Sequence, residues 1–98
     1  MFTGTALFDL LLPGDSRSLK AKRGYLRPIL AVLRKYEVAA AEVGDQDVHG
    51  RAQLGVAVVA GEPGHVRDLL DQCERAVAGR PEIELLSVKR RVIGDDDF

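Results

Sequence analysis

The sequence predicts an α+β domain in which two helices cover one face of a four-stranded antiparallel sheet, in the order β-α-β-β-α-β. Three observations predict it. The chain opens on an alternating run, Phe2 to Leu12. Two later stretches, beginning near Leu19 and Val66, carry apolar residues at helical spacing. Turn signals separate these stretches from three further apolar runs, at residues 38–43, 52–60 and 83–93.

In the first run Phe2, Ala6, Phe8, Leu10 and Leu12 point one way, and Thr3, Thr5, Leu7, Asp9 and Leu11 the other. Pro13-Gly14-Asp15 turns the chain, and Ser18 is suited to cap a helix with its hydroxyl. From Leu19 to Tyr36 the apolar stripe reads Leu19, Leu26, Leu30 and Leu33, with Ile29 flanking it. Pro28 deprives Gly24 of a backbone bond opposite that stripe, which predicts a kink convex toward solvent, or else two shorter helices.

Val38 to Val43 is a short small-residue strand that ends at Gly44-Asp45-Gln46-Asp47. Ala52 to Ala60, rich in valine and too short for a free helix, is a central strand. Gly61-Glu62-Pro63-Gly64 opens a second helix whose buried stripe is Val66, Leu69, Leu70, Cys73, Ala76 and Val77. Gly79-Arg80-Pro81 closes it, and Ile83 to Ile93 is the last strand. With right-handed crossovers and a central hairpin, this order is the ferredoxin-like sandwich. Residues 1–93 are expected to form a single domain, and residues 94–98 an acidic, disordered tail.

Ninety-eight residues suffice for one two-layer core. No run of eighteen apolar residues is present, and the first residues lack the pattern of a signal peptide, so no membrane partner is expected. A single cysteine, Cys73, fits a reducing compartment, with the cytoplasm as the expected location. The net charge of −1 conceals an asymmetry. Without Asp95, Asp96 and Asp97 the body carries fourteen basic against twelve acidic residues, and seven of the basic ones fall between Arg17 and Lys35.

Two surfaces are candidates for function. The sheet face away from the helices is expected to present Thr5, Leu7 and Leu11 from the first strand, and Ala57 and Val59 from the third. If the fourth strand buries Leu86, Val88 and Val92, it adds Leu85, Ser87, Lys89 and Arg91. A mixed apolar patch of this kind marks a contact site, and a homodimer interface through Thr5, Leu7, Leu11, Ala57, Val59 and Leu85 is one reading. It is a poor base-stacking platform, because its central positions hold no aromatic residue. The second surface is the first helix, where Lys20, Arg23, Arg27 and Arg34 fall on one flank. With the edge cations Lys89 and Arg91, these are the candidate nucleic-acid contacts; the alternative is a solvated flank that covers the core edge.

Other features carry less. Gly14-Asp15-Ser16-Arg17-Ser18 offers amides and a cation at a helix start, but a capped turn explains it. Asp45-Gln46-Asp47-Val48-His49 does not match a calcium loop, so no metal or other cofactor is expected. His65 reads as a surface residue and Cys73 as core.

Pro13-Gly14, Arg17-Ser18-Leu19-Lys20-Ala21-Lys22-Arg23, Ala41-Glu42-Val43, Asp45-Gln46-Asp47, Arg51-Ala52, Leu54 to Val59 and Glu84 to Val88 occur in an order that closely resembles the YlxP-like family. This is a family of short bacterial proteins classed as a domain of unknown function. The resemblance implies a ferredoxin-like fold, a bacterial cytoplasmic location and no established activity. Family members are often encoded beside transcription-elongation and translation-initiation factors, which implies a role near RNA or the ribosome. Ala21 stands where the family suggests an acid, His49 where it suggests a bulkier aromatic, and Pro28 is a further departure.

The reading that follows is a non-enzymatic interaction domain that acts on RNA or a ribosomal particle through the basic flank. A homodimer through the open sheet face is the alternative, and a small-molecule-binding domain, with Arg17 and Ser16 near Asp45, comes third.

Overall fold

The computed structural model describes residues 1–14 and 18–97. The strands are β1 (Phe2–Leu11), β2 (Ala39–Gly44), β3 (Arg51–Ala60) and β4 (Glu84–Ile93); the helices are α1 (Leu19–Arg34) and α2 (Pro63–Ala78). They form one sheet in the order β2-β3-β1-β4, with each neighbouring pair antiparallel. That is the ferredoxin-like α+β fold. The pairing of β1 with β3 runs unbroken from Phe2↔Ala60 to Leu11↔Arg51, so the two central strands share one pleat.

The core lies between this sheet and the two helices. Ala6, Phe8, Leu10 and Leu12 meet Ala52, Leu54, Val56 and Val58 on one sheet face, under Leu26, Ile29 and Leu33 of α1 and Val66, Leu70, Cys73 and Val77 of α2. Each large aliphatic side chain buried in this way contributes about 1.5–3 kcal/mol. α1 lies against β2, whereas α2 lies chiefly against β1 and β4. Gly4 lets α2 approach: a Cβ there would sit 2.3 Å from Val66 Cγ1.

Ser18 caps α1 as its sequence predicts, its Oγ accepting from the Ala21 amide at 3.1 Å. α1 is a single helix from Leu19 to Arg34 in spite of Pro28, which lies exposed within it. Its buried positions are Lys22, Leu26, Ile29 and Leu33, so Ile29 is central, Leu30 is half-buried, and a lysine occupies the first core position. The helix ends at Arg34 with Lys35 as its C-cap, and Glu37 beyond it adopts the left-handed conformation at φ 63°. α2 follows the sequence closely, with Pro63 in its first turn and Val66, Leu70, Cys73 and Val77 buried.

β4 departs from the sequence reading. Asp9 pairs with Ser87 but Leu10 pairs with Leu85, which leaves Leu86 as the extra residue of a bulge. Leu85 is therefore turned to the helix side, where it packs against the core, and Leu86 is exposed. The expected assignment, Leu86 inward and Leu85 outward, is reversed, and Leu85 leaves the open-face candidates. The turn at residues 15–17, with Ser16 and Arg17, lies outside the described residues. At the chain end, in the stretch read as an acidic tail, Asp95–Asp97 form a turn of 3-10 helix. The Met1 amino group donates to Asp95 Oδ2 at 2.7 Å.

Candidate functional site

The open face of the sheet is built by the odd-numbered residues of β1 and their partners. Thr5 sits between Ala57 of β3 and Arg91 of β4, and Leu7 between Gly55 and Lys89. Ala39 and Ala41 of β2 pair with Ala57 and Gly55, which extends the same face to the β2 edge. Small side chains across three strands leave a shallow groove of about 690 Å³, bounded by Val43 on one side and by Lys89 and Arg91 on the other. Val43 leans over Gly55, where a Cβ would come 3.1 Å from its Cγ1. Val59 and Leu11 are exposed on this face beyond the groove.

Charge on this face is uneven. Asp9 is neutralised by Arg51, whose Nη2 donates to Asp9 Oδ2 at 2.6 Å. Lys89 and Arg91 make no ion pair with another described residue. Their neighbour Arg90 points to the helix side, where it holds Asp71 at 2.6 Å and the Arg67 carbonyl at 3.1 Å. Alternation along β4 thus ties one cation to α2 and leaves two on the open face.

The helix flank is a separate surface. Lys20, Arg23, Arg27 and Arg34 are all exposed, as their wheel positions predict. Arg34 donates to the Ala40 carbonyl at 2.9 Å, whereas Lys20, Arg23 and Arg27 make no hydrogen bond or ion pair with another described residue. α1 packs on the covered face of the sheet, and Lys89 and Arg91 line the open one. The six cations read as one contact set therefore fall on opposite sides of the domain.

Lys22 is the residue whose role the sequence reading missed. It is 1% exposed, and its Nζ lies 2.9 Å from Glu42 Oε2. The same Nζ donates to the Val48 carbonyl at 2.7 Å and to the Asp45 carbonyl. Asp45 adopts the left-handed conformation at φ 57°, and its carbonyl also accepts from the Val48 amide at 3.0 Å. One buried ammonium thus gathers a carboxylate of β2 and two carbonyls of the β2–β3 loop. The signal was present in the spacing: 22, 26, 29 and 33 are four successive core positions of a helix.

Cys73 is buried, and desolvation raises its thiol pKa against a smaller opposing influence from Arg90. Among the described residues, no group of three His, Cys, Asp or Glu side chains could hold a metal ion. Among the described residues, no helix is long and apolar enough to cross a membrane.

The family described as "Protein of unknown function (DUF503)" matches residues 3–90. A curated relative, "Uncharacterized protein YlxP" of Bacillus subtilis (strain 168), is 35% identical over 71 residues, which span 71% of this chain and 77% of that protein.

Proposed function

The chain belongs to the DUF503 family, and from that premise we propose that it is a non-enzymatic interaction domain that contacts RNA, free or in a ribosomal particle, through the basic flank of α1. The observation that carries this reading is the charge of α1. Leu19–Arg34 contains no acid, and Lys20, Arg23 and Arg27 stand exposed on one flank without partners among the described residues. Cations already committed to carboxylates gain little from a phosphate; uncommitted ones release counterions when they bind one. The open sheet face is a poor platform for base stacking, because Thr5, Leu7, Gly55 and Ala57 provide no ring for a base to stack on.

Fluorescence anisotropy with a labelled single-stranded RNA, and sedimentation with purified ribosomal particles, test the proposal across a salt series. Three phosphate contacts give a slope of log K against log salt of about −2 for a single strand. Arg23→Glu with Arg27→Glu should abolish binding. Binding that persists in the double variant, or that does not respond to salt, would refute it.

A further inference from the structure

We propose that the groove on the open sheet face is a docking site for an amphipathic helix of a partner protein, one whose apolar stripe is flanked by acidic residues. Width comes first. β2 and the Lys89 and Arg91 pair on β4 stand three strand spacings apart, about 14 Å, with Val43 leaning inward over Gly55 toward one end. An α-helix with its side chains is about 10–12 Å across. Across that width the floor consists of Ala39, Ala41, Thr5, Gly55 and Ala57, small enough for a helix to approach the sheet closely, with Leu7 as its one large apolar contact. A strand of the partner would instead seek a free sheet edge, not the middle of a face.

Charge then selects the partner. Asp9 is neutralised by Arg51, so the groove's uncompensated charges are the two cations of one rim. An acidic residue beside the apolar stripe of the incoming helix would meet them, while a second copy of this face would bring two more cations to the same surface. The groove runs about 13 Å along the five residues Ala39 to Val43, room for two to three helical turns. This surface lies across the sheet from α1, so its occupation leaves the RNA-contact flank free, and neither proposal depends on the other.

Selection of displayed random 20-residue peptides on the immobilised full chain tests it. Enriched peptides should carry apolar residues at helical spacing with Asp or Glu beside them. Synthesised singly, they should lose at least tenfold in affinity toward Ala57→Trp and toward Lys89→Glu with Arg91→Glu. Both substitutions are at exposed positions, and circular dichroism of each variant checks that the fold is kept. Enrichment of basic or non-helical peptides, undiminished binding to the variants, or no enrichment at all would overturn the proposal. So would a dimer in light scattering that Ala57→Trp dissociates, since a second copy would then be the occupant.

Discussion

Replacement of Lys22 by methionine keeps the length of the side chain and removes its charge, which isolates what the buried ammonium contributes. In the native domain Nζ faces Glu42 Oε2 at 2.9 Å and two loop carbonyls, those of Asp45 and Val48. The variant leaves the Glu42 carboxylate without its counter-charge and both carbonyls without that donor. Removal of one partner from a fully buried ion pair costs about 3–5 kcal/mol. Glu42 is 22% exposed and can recover some water, so about 2–4 kcal/mol is expected here. Total stability for a domain of this kind is about 5–15 kcal/mol. At about 4–8 °C per kcal/mol, Tm should fall by roughly 10–30 °C. Urea denaturation should show a lower midpoint at an unchanged slope, and hydrogen exchange at the Val48 amide should speed up more than exchange in β1. Adding Glu42→Gln to the variant should recover part of the loss, because the uncompensated charge is gone. A variant within about 1 kcal/mol of the parent, or no coupling between positions 22 and 42, would show that the ammonium does not organise this loop.

Three further outcomes follow from particular contacts. Gly4→Ala forces a Cβ against Val66 Cγ1 at 2.3 Å and should cost about 1–3 kcal/mol in urea denaturation, with Val66→Ala relieving part of that cost in the double variant. Ser18→Ala removes the acceptor of the Ala21 amide and should cost about 1 kcal/mol by the same measurement. Burial raises the Cys73 pKa above its unfolded value, so its contribution is fully present below the unfolded value and fades as pH rises through the folded one. Thermal melts across the alkaline range should therefore show a decline in stability that is shallower in Cys73→Val, and alkylation of Cys73 should require unfolding.

Much of the fold was legible because period and punctuation agree. Phe8 and Leu10, Leu54 and Val56, and Val66, Leu70, Cys73 and Val77 fall inside as their spacings predict, and Ser18 caps the helix it precedes. Two places resisted the same reading for different physical reasons. Lys22 occupies a core position, but a charged residue is ordinarily assigned to solvent, and its partners Glu42, Asp45 and Val48 lie more than nineteen residues away. Only the fold brings them together. Leu85 and Leu86 are chemically identical, so the alternation of β4 looked continuous across a bulge that adds one residue.

That bulge also bears on the candidate sites. Beyond it, Ser87, Lys89 and Arg91 keep the outward positions that the alternation assigns them, while Arg90 is drawn to Asp71 and Glu74 of α2. One strand therefore divides its cations between two tasks: Arg90 secures α2 against the sheet edge, and Lys89 and Arg91 form one rim of the groove. α1 divides its own in the same way, with Lys22 committed to the β2–β3 loop and Lys20 and Arg23 beside it turned to solvent. In both elements the cation that meets a carboxylate within the fold is structural, and its outward neighbours have no such partner among the described residues. The covered and open faces of the sheet thus carry separate positive surfaces, and charge reversal on one should leave the ligand of the other undisturbed.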